Sequence, residues 1–295
     1  MLTTEHKSIY DDIIGAVNEN VGGVFFGYGF GGTGKIFLWK TLSTALRSKC
    51  DIVLNVASSG VASSGIASLL LEGGRTAHSR FGITLNPNEF TTYNMKAGSD
   101  RANLVKEASL IIWDEAPMMS IHCFESLDWS LSDICGNGDN KPSVGKVVVS
   151  GGDFRQVLLV IPGADRADIT MSALNSSYIW SHCKVLTLTK NMRLYSEGLS
   201  VSEAKDIEEF SEWILAVGDG RIAELNDGEA LIDIRSEFLI TKAKDPIEAI
   251  CIKIYGDITK IHEQNDPVFS KKEQYYVPQT KMSTKTMLDN LQCIY

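Results

Sequence analysis

Gly29-Phe30-Gly31-Gly32-Thr33-Gly34-Lys35-Ile36 follows the apolar run Val24-Phe25-Phe26 and leads into a segment of helical spacing, Phe37 to Leu46. A strand that breaks into glycines and restarts as a helix is an arrangement suited to phosphate. The glycines let backbone N–H groups turn inward around the anion, and the helix N-terminus adds the positive end of its dipole. Lys35 is then placed to reach the β- and γ-phosphates of a nucleotide. The pattern G-x-x-x-x-G-K-[S/T] is met at every fixed position except the last, where Ile36 brings a sec-butyl group in place of the hydroxyl that should coordinate Mg²⁺. Gly29, Gly31, Gly32, Thr33, Gly34 and Lys35 are therefore the expected nucleotide-binding residues. Thr33 stands too early in the turn to replace the missing ligand, so weakened use of Mg²⁺ is expected.

Working outward, Thr3 to Val17 carries Ile9, Ile13, Ile14 and Val17 at near-helical spacing behind a Thr3/Thr4 cap, which predicts an amphipathic helix before the first strand. Beyond the loop helix, Ile52 to Ala57 is short, rich in β-formers and bounded by polar residues, which predicts a second buried strand. Strand, helix, strand is an α/β beginning. Leu110-Ile111-Ile112-Trp113 is a continuous apolar run ending in Asp114-Glu115, and that delivers the acidic pair to the C-terminal edge of a buried parallel strand, where α/β sites are built. Asp114 would hold Mg²⁺ through its water shell and Glu115 would polarise an attacking water. Lys146 to Ser150 is another such strand, and it runs through Gly151-Gly152-Asp153-Phe154-Arg155 to Gln156, so Gln156 is expected at the same edge. Val185 to Thr189 predicts one more strand, after which Arg193 in Lys190-Asn191-Met192-Arg193 could act as a charge-stabilising finger. Glu203 to Val217 has Ile207, Phe210, Ile214 and Val217 on one face before Gly218-Asp219-Gly220, a stripe read as core packing, and Ile247 to Ile254 is a further helical stretch.

Between the second strand and the acidic pair lie two unusual segments. Val56-Ala57-Ser58-Ser59-Gly60 is repeated at once as Val61-Ala62-Ser63-Ser64-Gly65, five residues each and too short for a solenoid unit. A helix to Leu71 follows, then Gly73-Gly74-Arg75-Thr76-Ala77-His78-Ser79-Arg80-Phe81, read as a polar, basic loop ending in an aromatic. Such a loop suits a phosphate backbone and a stacked base. Read alone, it better suits a solvated turn anchored by a buried phenylalanine, since loops are commonly polar.

Composition narrows the class. A chain of 295 residues, 44% hydrophobic, can bury one or two cores, and its net charge of −9 argues against a surface that attracts nucleic acid as a whole, leaving room only for a local basic cleft. The six cysteines are scattered singly without metal-ligand spacing, which suits reduced intracellular thiols; His122-Cys123 and His182-Cys183 are neighbours in sequence without further ligands. No leader-like N-terminus and no apolar stretch of about 18 residues appears, so a soluble protein, neither secreted nor membrane-spanning, is expected.

Taken in order, Gly29 to Lys35, Ser63-Ser64-Gly65-Ile66-Ala67 through Gly73 to Ser79, Trp113-Asp114-Glu115-Ala116-Pro117-Met118, Gly151 to Gln156 and Asn191-Met192-Arg193-Leu194 resemble a Pif-type DNA helicase, with the flavour of the subgroup associated with rolling-circle (Helitron) transposons. The resemblance runs from about Leu2 to at least Gln264. It implies a RecA-like P-loop NTPase domain with a parallel sheet over residues 1–183, and the incomplete beginning of a second RecA-like domain over 184–295. It implies ATP and Mg²⁺ as cofactors, movement 5′ to 3′ on single-stranded DNA, action at duplex junctions, and service in DNA repair, recombination and telomere upkeep. A nuclear monomer is expected by family alone.

By the same resemblance Lys35 grips phosphate, Asp114 lies on the magnesium side, Glu115 is the general base, Gln156 senses the γ-phosphate, and Arg193 is a finger contributed by the second domain. The segment Arg75, Thr76, His78, Arg80 and Phe81 would touch DNA. Several positions depart from the family pattern. His6 stands where a glutamine usually reads adenine, and imidazole lacks the amide's paired donor and acceptor. Leu159 replaces a proline after Gln156, the duplicated pentapeptide lengthens the DNA-contacting segment, and Ile36 removes the metal-side hydroxyl. With the second domain incomplete as well, impaired motor activity is expected. The alternatives are a non-catalytic nucleotide- and DNA-binding relic of a transposon-derived helicase, and a P-loop kinase or small-molecule ATPase.

Overall fold

A computed structural model describes residues 2–255 apart from 59–65, 85–86, 92, 94, 137–141, 156–160, 162, 164, 196–197, 222–233, 235, 237–238 and 241–244. In chain order the elements are α1 (Thr4–Asn18), β1 (Gly23–Tyr28), α2 (Lys35–Arg47), β2 (Ile52–Ala57), α3 (Ile66–Leu69), β3 (Arg75–Thr76), α4 (Ala77–Phe81), α5 (Asp100–Glu107), β4 (Ala108–Asp114), α6 (Ile121–Cys135), β5 (Val147–Gly152), α7 (Arg166–Met171), β6 (Cys183–Thr187), α8 (Val201–Gly218) and α9 (Pro246–Tyr255). The strands form one six-stranded sheet in the order β3-β2-β4-β5-β1-β6, and every pairing is parallel.

The continuous apolar runs are explained by burial on both faces. Along β1, Val24 and Phe26 enter one core while Phe25 enters the other; along β4, Ile111 and Trp113 divide from Leu110 and Ile112 in the same way. The first core is closed by Phe81 of α4, Val105 of α5 and Phe124, Leu127 and Leu131 of α6. The second is closed by Ile9 and Ile13 of α1 and by Leu38, Trp39, Leu42 and Leu46 of α2. Period-two strands between period-3.6 helices make a three-layer α/β domain, the class expected. Because all strands are parallel, their C-terminal ends share one edge, and β1, β4 and β5 adjoin there, β5 lying between the other two.

Helix starts are set locally. Thr3 caps α1 through its side chain, Ser99 caps α5, Ser120 caps α6, and Ser200 forms a capping box with Glu203 at α8. Among the described residues no helix is long and apolar enough to cross a membrane.

Several expectations are corrected. The segment Gly73 to Phe81 is not a loop: Arg75–Thr76 adds a short strand to β2, and Thr76 then caps α4 by accepting from the Ser79 amide. The helix expected to Leu71 ends at Leu69. The boundary expected after residue 183 cuts through one sheet, since Cys183–Thr187 pairs with β1, and the first compact unit runs to Arg221. The stripe on α8 is not core. Phe210 is 37% exposed and Ile214 47%, and no residue of this helix is buried. Periodicity reports that a face is apolar, and it cannot report what covers that face. The second unit begins at Ile222; α9 is its described helix, while the tandem repeat beyond Ser58 and the tail after Tyr255 lie outside the described residues.

Candidate functional site

The loop after β1 closes on itself. Gly34, at φ +84, is the residue from which α2 starts; this left-handed turn suits glycine, and a Cβ there would stand 2.9 Å from His6 Nε2. Lys35 is only 8% exposed, and its ammonium donates to the Gly29 carbonyl at 2.5 Å across the mouth of the loop. Thr33 is buried, and its hydroxyl donates back to the Phe30 carbonyl at 2.9 Å, so it is already committed inside the turn. Ile36 packs against the α1/α2 core.

At the end of β4, two register steps across the sheet, Asp114 and Glu115 meet this loop. Asp114 is buried and accepts from the Trp39 indole at 2.8 Å. Burial raises its pKa above the ordinary aspartate range, against the opposing pull of the Trp39 hydrogen bond and the Lys35 charge. Glu115 adopts φ +50, ψ +39, a left-handed backbone that a non-glycine residue rarely holds and that is concentrated at functional sites. Its Oε2 is buried without a hydrogen-bond partner. Desolvation, then the neighbouring Asp114 charge, raises its pKa to about 7, with Lys35 opposing. A carboxylate poised near neutrality with a free oxygen is what a general base requires.

Arg193 lies against the same loop. The Met192 amide donates to the Gly32 carbonyl at 2.8 Å, and a side chain at position 32 would meet Asn191 Oδ1 at 2.8 Å and Arg193 Nε at 3.4 Å. Arg193 thus belongs to the same compact unit as the loop, and its expected origin in a second domain is corrected. The chain returns to the loop because β6 pairs directly with β1 and ends beside it. Gln156 and Leu159 lie outside the described residues, but Asp153 and Arg155 fix the strand end that leads to them. Arg155 Nε donates to Asp219 at 2.5 Å, its amide donates to Asp153 at 3.1 Å, and its guanidinium lies over the Tyr28 ring at 5.5 Å.

His6 is not turned toward a base. It is 1% exposed; its Nε2 donates to the Thr33 carbonyl at 2.9 Å and its Nδ1 meets Thr3 Oγ1 at 2.7 Å. Both ring nitrogens are spent, so His6 braces the loop from beneath, and the expected adenine contact is corrected. Helical periodicity placed it on the buried side of α1, which was the available signal.

The proposed DNA segment divides. Phe81 is fully buried, stacked with Tyr93 at 5.9 Å and packed on Trp113 at 5.6 Å, so it is no platform for a base. Arg80 donates to the Gly73 carbonyl at 3.1 Å, and Arg47 donates to the Glu72 carbonyl at 3.2 Å, so both guanidinium groups hold the turn before β3. Burial, then Arg75 and Arg47, lowers the Arg80 pKa; burial lowers that of His78. Thr76 is the α4 cap, and Arg75 alone of these five residues is exposed.

The donor set fits a nucleotide triphosphate: inward-turned loop, buried ammonium, orphaned base oxygen. It fits a divalent ion less fully. Among the described residues no three His, Cys, Asp or Glu side chains converge, so an ion here would rest on Asp114, water and phosphate oxygens.

The fold and this edge define a P-loop nucleotide-binding domain of the RecA-like class. More closely, the chain belongs to the PIF1-like helicase family, whose model matches residues 1–228. It is 31% identical over 140 residues to the ATP-dependent DNA helicase PIF4 of Trypanosoma brucei brucei, covering 46% of this chain and 16% of that one. Among solved structures, the Pif1 helicase of Candida albicans superposes with a TM-score of 0.56 at 22% identity, over 75% of this chain and 44% of that one. A Bacteroides Pif1 helicase in complex with ADP-AlF3 and single-stranded DNA gives 0.56 at 19% identity, over 88% and 58%. These likenesses establish the shared fold, and the chain spans less than two thirds of each relative's length.

Proposed function

We propose that this chain is the nucleotide-hydrolysing unit of an ATP-dependent DNA helicase that moves 5′ to 3′ on single-stranded DNA and acts at duplex junctions. The carrying observation is the meeting of Lys35, Asp114, Glu115 and Arg193 at one sheet edge, in a chain of the PIF1-like family. Lys35 would exchange the Gly29 carbonyl for phosphate oxygens. Glu115 would accept the proton of a water attacking the γ-phosphate, while Arg193 supplies positive charge where charge develops. Mg²⁺, when bound on the Asp114 side, neutralises phosphate charge. Arg75 offers the exposed cation for a DNA phosphate.

Relatives support the partners. A Bacteroides Pif1 was solved bound to single-stranded DNA, and another structure describes two coordinating Pif1 helicases on forked duplex. A monomer in solution, a Helitron-associated origin, nuclear residence and service in repair, recombination and telomere upkeep complete the reading. The second reading, a nucleotide- and DNA-binding relic without turnover, is favoured by Ile36 in the place of the metal-side hydroxyl.

ATP hydrolysis measured with and without single-stranded DNA, for the unmodified chain and for Ile36→Thr, separates the two. The motor reading expects DNA-stimulated turnover that rises in Ile36→Thr. Nucleotide binding without turnover in either protein would establish the relic.

A further inference from the structure

We infer that Trp39 is a positioning residue for the acidic end of the nucleotide site, its indole N–H fixing Asp114 in a site where Ile36 leaves no metal-side hydroxyl. The inference rests on the functional reading above and assigns a role to a residue outside the loop.

Trp39 lies on α2 one helical turn past Lys35, so the two side chains leave the same face of the helix. The indole is wholly buried and donates to Asp114 Oδ1 at 2.8 Å, joining residues 75 apart in sequence. Its seat is built into the sheet. Gly27 of β1 and Gly151 of β5 are direct register partners, and a Cβ at either would stand 2.7 Å or 2.5 Å from the indole ring. Two neighbouring strands are therefore bare under one tryptophan, which is the requirement for a large ring to slide between helix and sheet and bring its N–H to the end of β4. Packing alone explains the ring; it does not explain why its single polar atom meets the carboxylate.

The consequence is a carboxylate held in one orientation. An indole has one donor, so the Trp39 bond claims Oδ1 alone, and with the Glu115 backbone hydrogen bond it orients a carboxylate whose remaining lone pairs would face the metal's water shell. A buried carboxylate that swings freely would collapse onto the nearby Lys35 ammonium, and the Trp39 bond holds it short of that.

Two measurements test this. The first follows binding of a fluorescent N-methylanthraniloyl ATP to the full chain with Mg²⁺ and with EDTA. For Trp39→Phe, affinity should fall about ten-fold with Mg²⁺, the size of one hydrogen bond to a charged group, and change less than about two-fold in EDTA. Because a phenylalanine fills the seat poorly, 3-benzothienylalanine at position 39, which keeps the indole shape with sulfur in place of N–H, should give the same pattern. The second is a double-mutant cycle in denaturant unfolding, Trp39→Phe against Asp114→Ala, which removes the acceptor, needs no nucleotide and should be non-additive.

Equal losses with Mg²⁺ and EDTA, or an additive cycle, would overturn the assignment and leave Trp39 as core packing. A metal preference unaltered by either replacement overturns it too, while the functional reading stands. An unmodified chain that binds no nucleotide overturns the functional reading, and this one with it.

Discussion

The nucleotide edge and the Arg75–Phe81 segment are both rich in the residue types that carry function, yet the structure treats them oppositely. At the edge, Lys35, Asp114 and Glu115 come from distant parts of the chain and are held close with capacity to spare: the Lys35 ammonium is parked on a carbonyl and one Glu115 oxygen is unclaimed. In the segment, neighbours in sequence serve the fold: Arg80 donates to the Gly73 carbonyl while its Nε is buried without a partner, Thr76 accepts from the Ser79 amide, and Phe81 lies in the core. Burial against a finished sheet can support unsatisfied groups, because the surrounding strands over-determine their positions. A two-residue strand followed by a five-residue helix is too short to hold itself and relies on its own side chains to stay folded.

The largest test of that contrast is Phe81→Ala. Removing a fully buried aromatic packed on Trp113 and Tyr93 should cost about 3–5 kcal/mol in urea unfolding. A loss under about 1 kcal/mol with weakened DNA binding would reverse the contrast, since it would make Phe81 a contact surface.

Glu115→Gln comes next and has a definite pH signature. The folded pKa of about 7 stands above the ordinary 4.5, so between those values the folded state binds the extra proton, and stability falls as pH rises toward and past 7. The glutamine variant should therefore be more stable than the unmodified chain at pH 8, by up to about 3 kcal/mol, with no such gain at pH 4. Turnover of the unmodified chain should rise with pH through about 7 as the base ionises, and should be lost in the variant. Thermal melts across this range and a pH–rate profile are the measurements. A gain independent of pH would mean that charge burial is not what Glu115 stores, since glutamine keeps the same left-handed backbone.

The smallest expected effect is Arg75→Ala. With one exposed cation in the segment, single-stranded DNA binding should weaken a few-fold, and the dependence of log affinity on log salt should shallow by about 0.7, the share of one phosphate contact. No change in slope would move the DNA surface away from this segment.

Much of the fold was legible in the sequence. Apolar runs of strand length alternating with helical spacing marked β1, β2, β4 and β5, and the Thr3 cap and Ile9/Ile13 stripe marked α1, because burial on both faces leaves a local trace. The candidate site was legible where one motif spans adjacent residues, as in Gly29 to Lys35, or where a strand ends in charge, as in Trp113-Asp114-Glu115. What was misread shares one cause. The fate of Phe210 and Ile214 on α8, of Phe81 under α4, of His6 behind the loop and of β6 beside β1 depends on what packs against each, and no local pattern records a neighbour tens of residues away.

By itself the sequence determined that a phosphate loop, an acidic strand end and an arginine lie in one α/β chain, since backbone propensity, glycine geometry and hydrophobic period act over a few residues. Only the tertiary structure decided that His6 serves the loop rather than a base, that Arg193 approaches from the same domain, that Phe81 is structural, and that Gly27 and Gly151 are bare so that Trp39 can reach Asp114. Those decisions belong to parallel pairing and close packing. These bring together groups far apart in the chain, and they let one space be filled by only one of the side chains that could claim it.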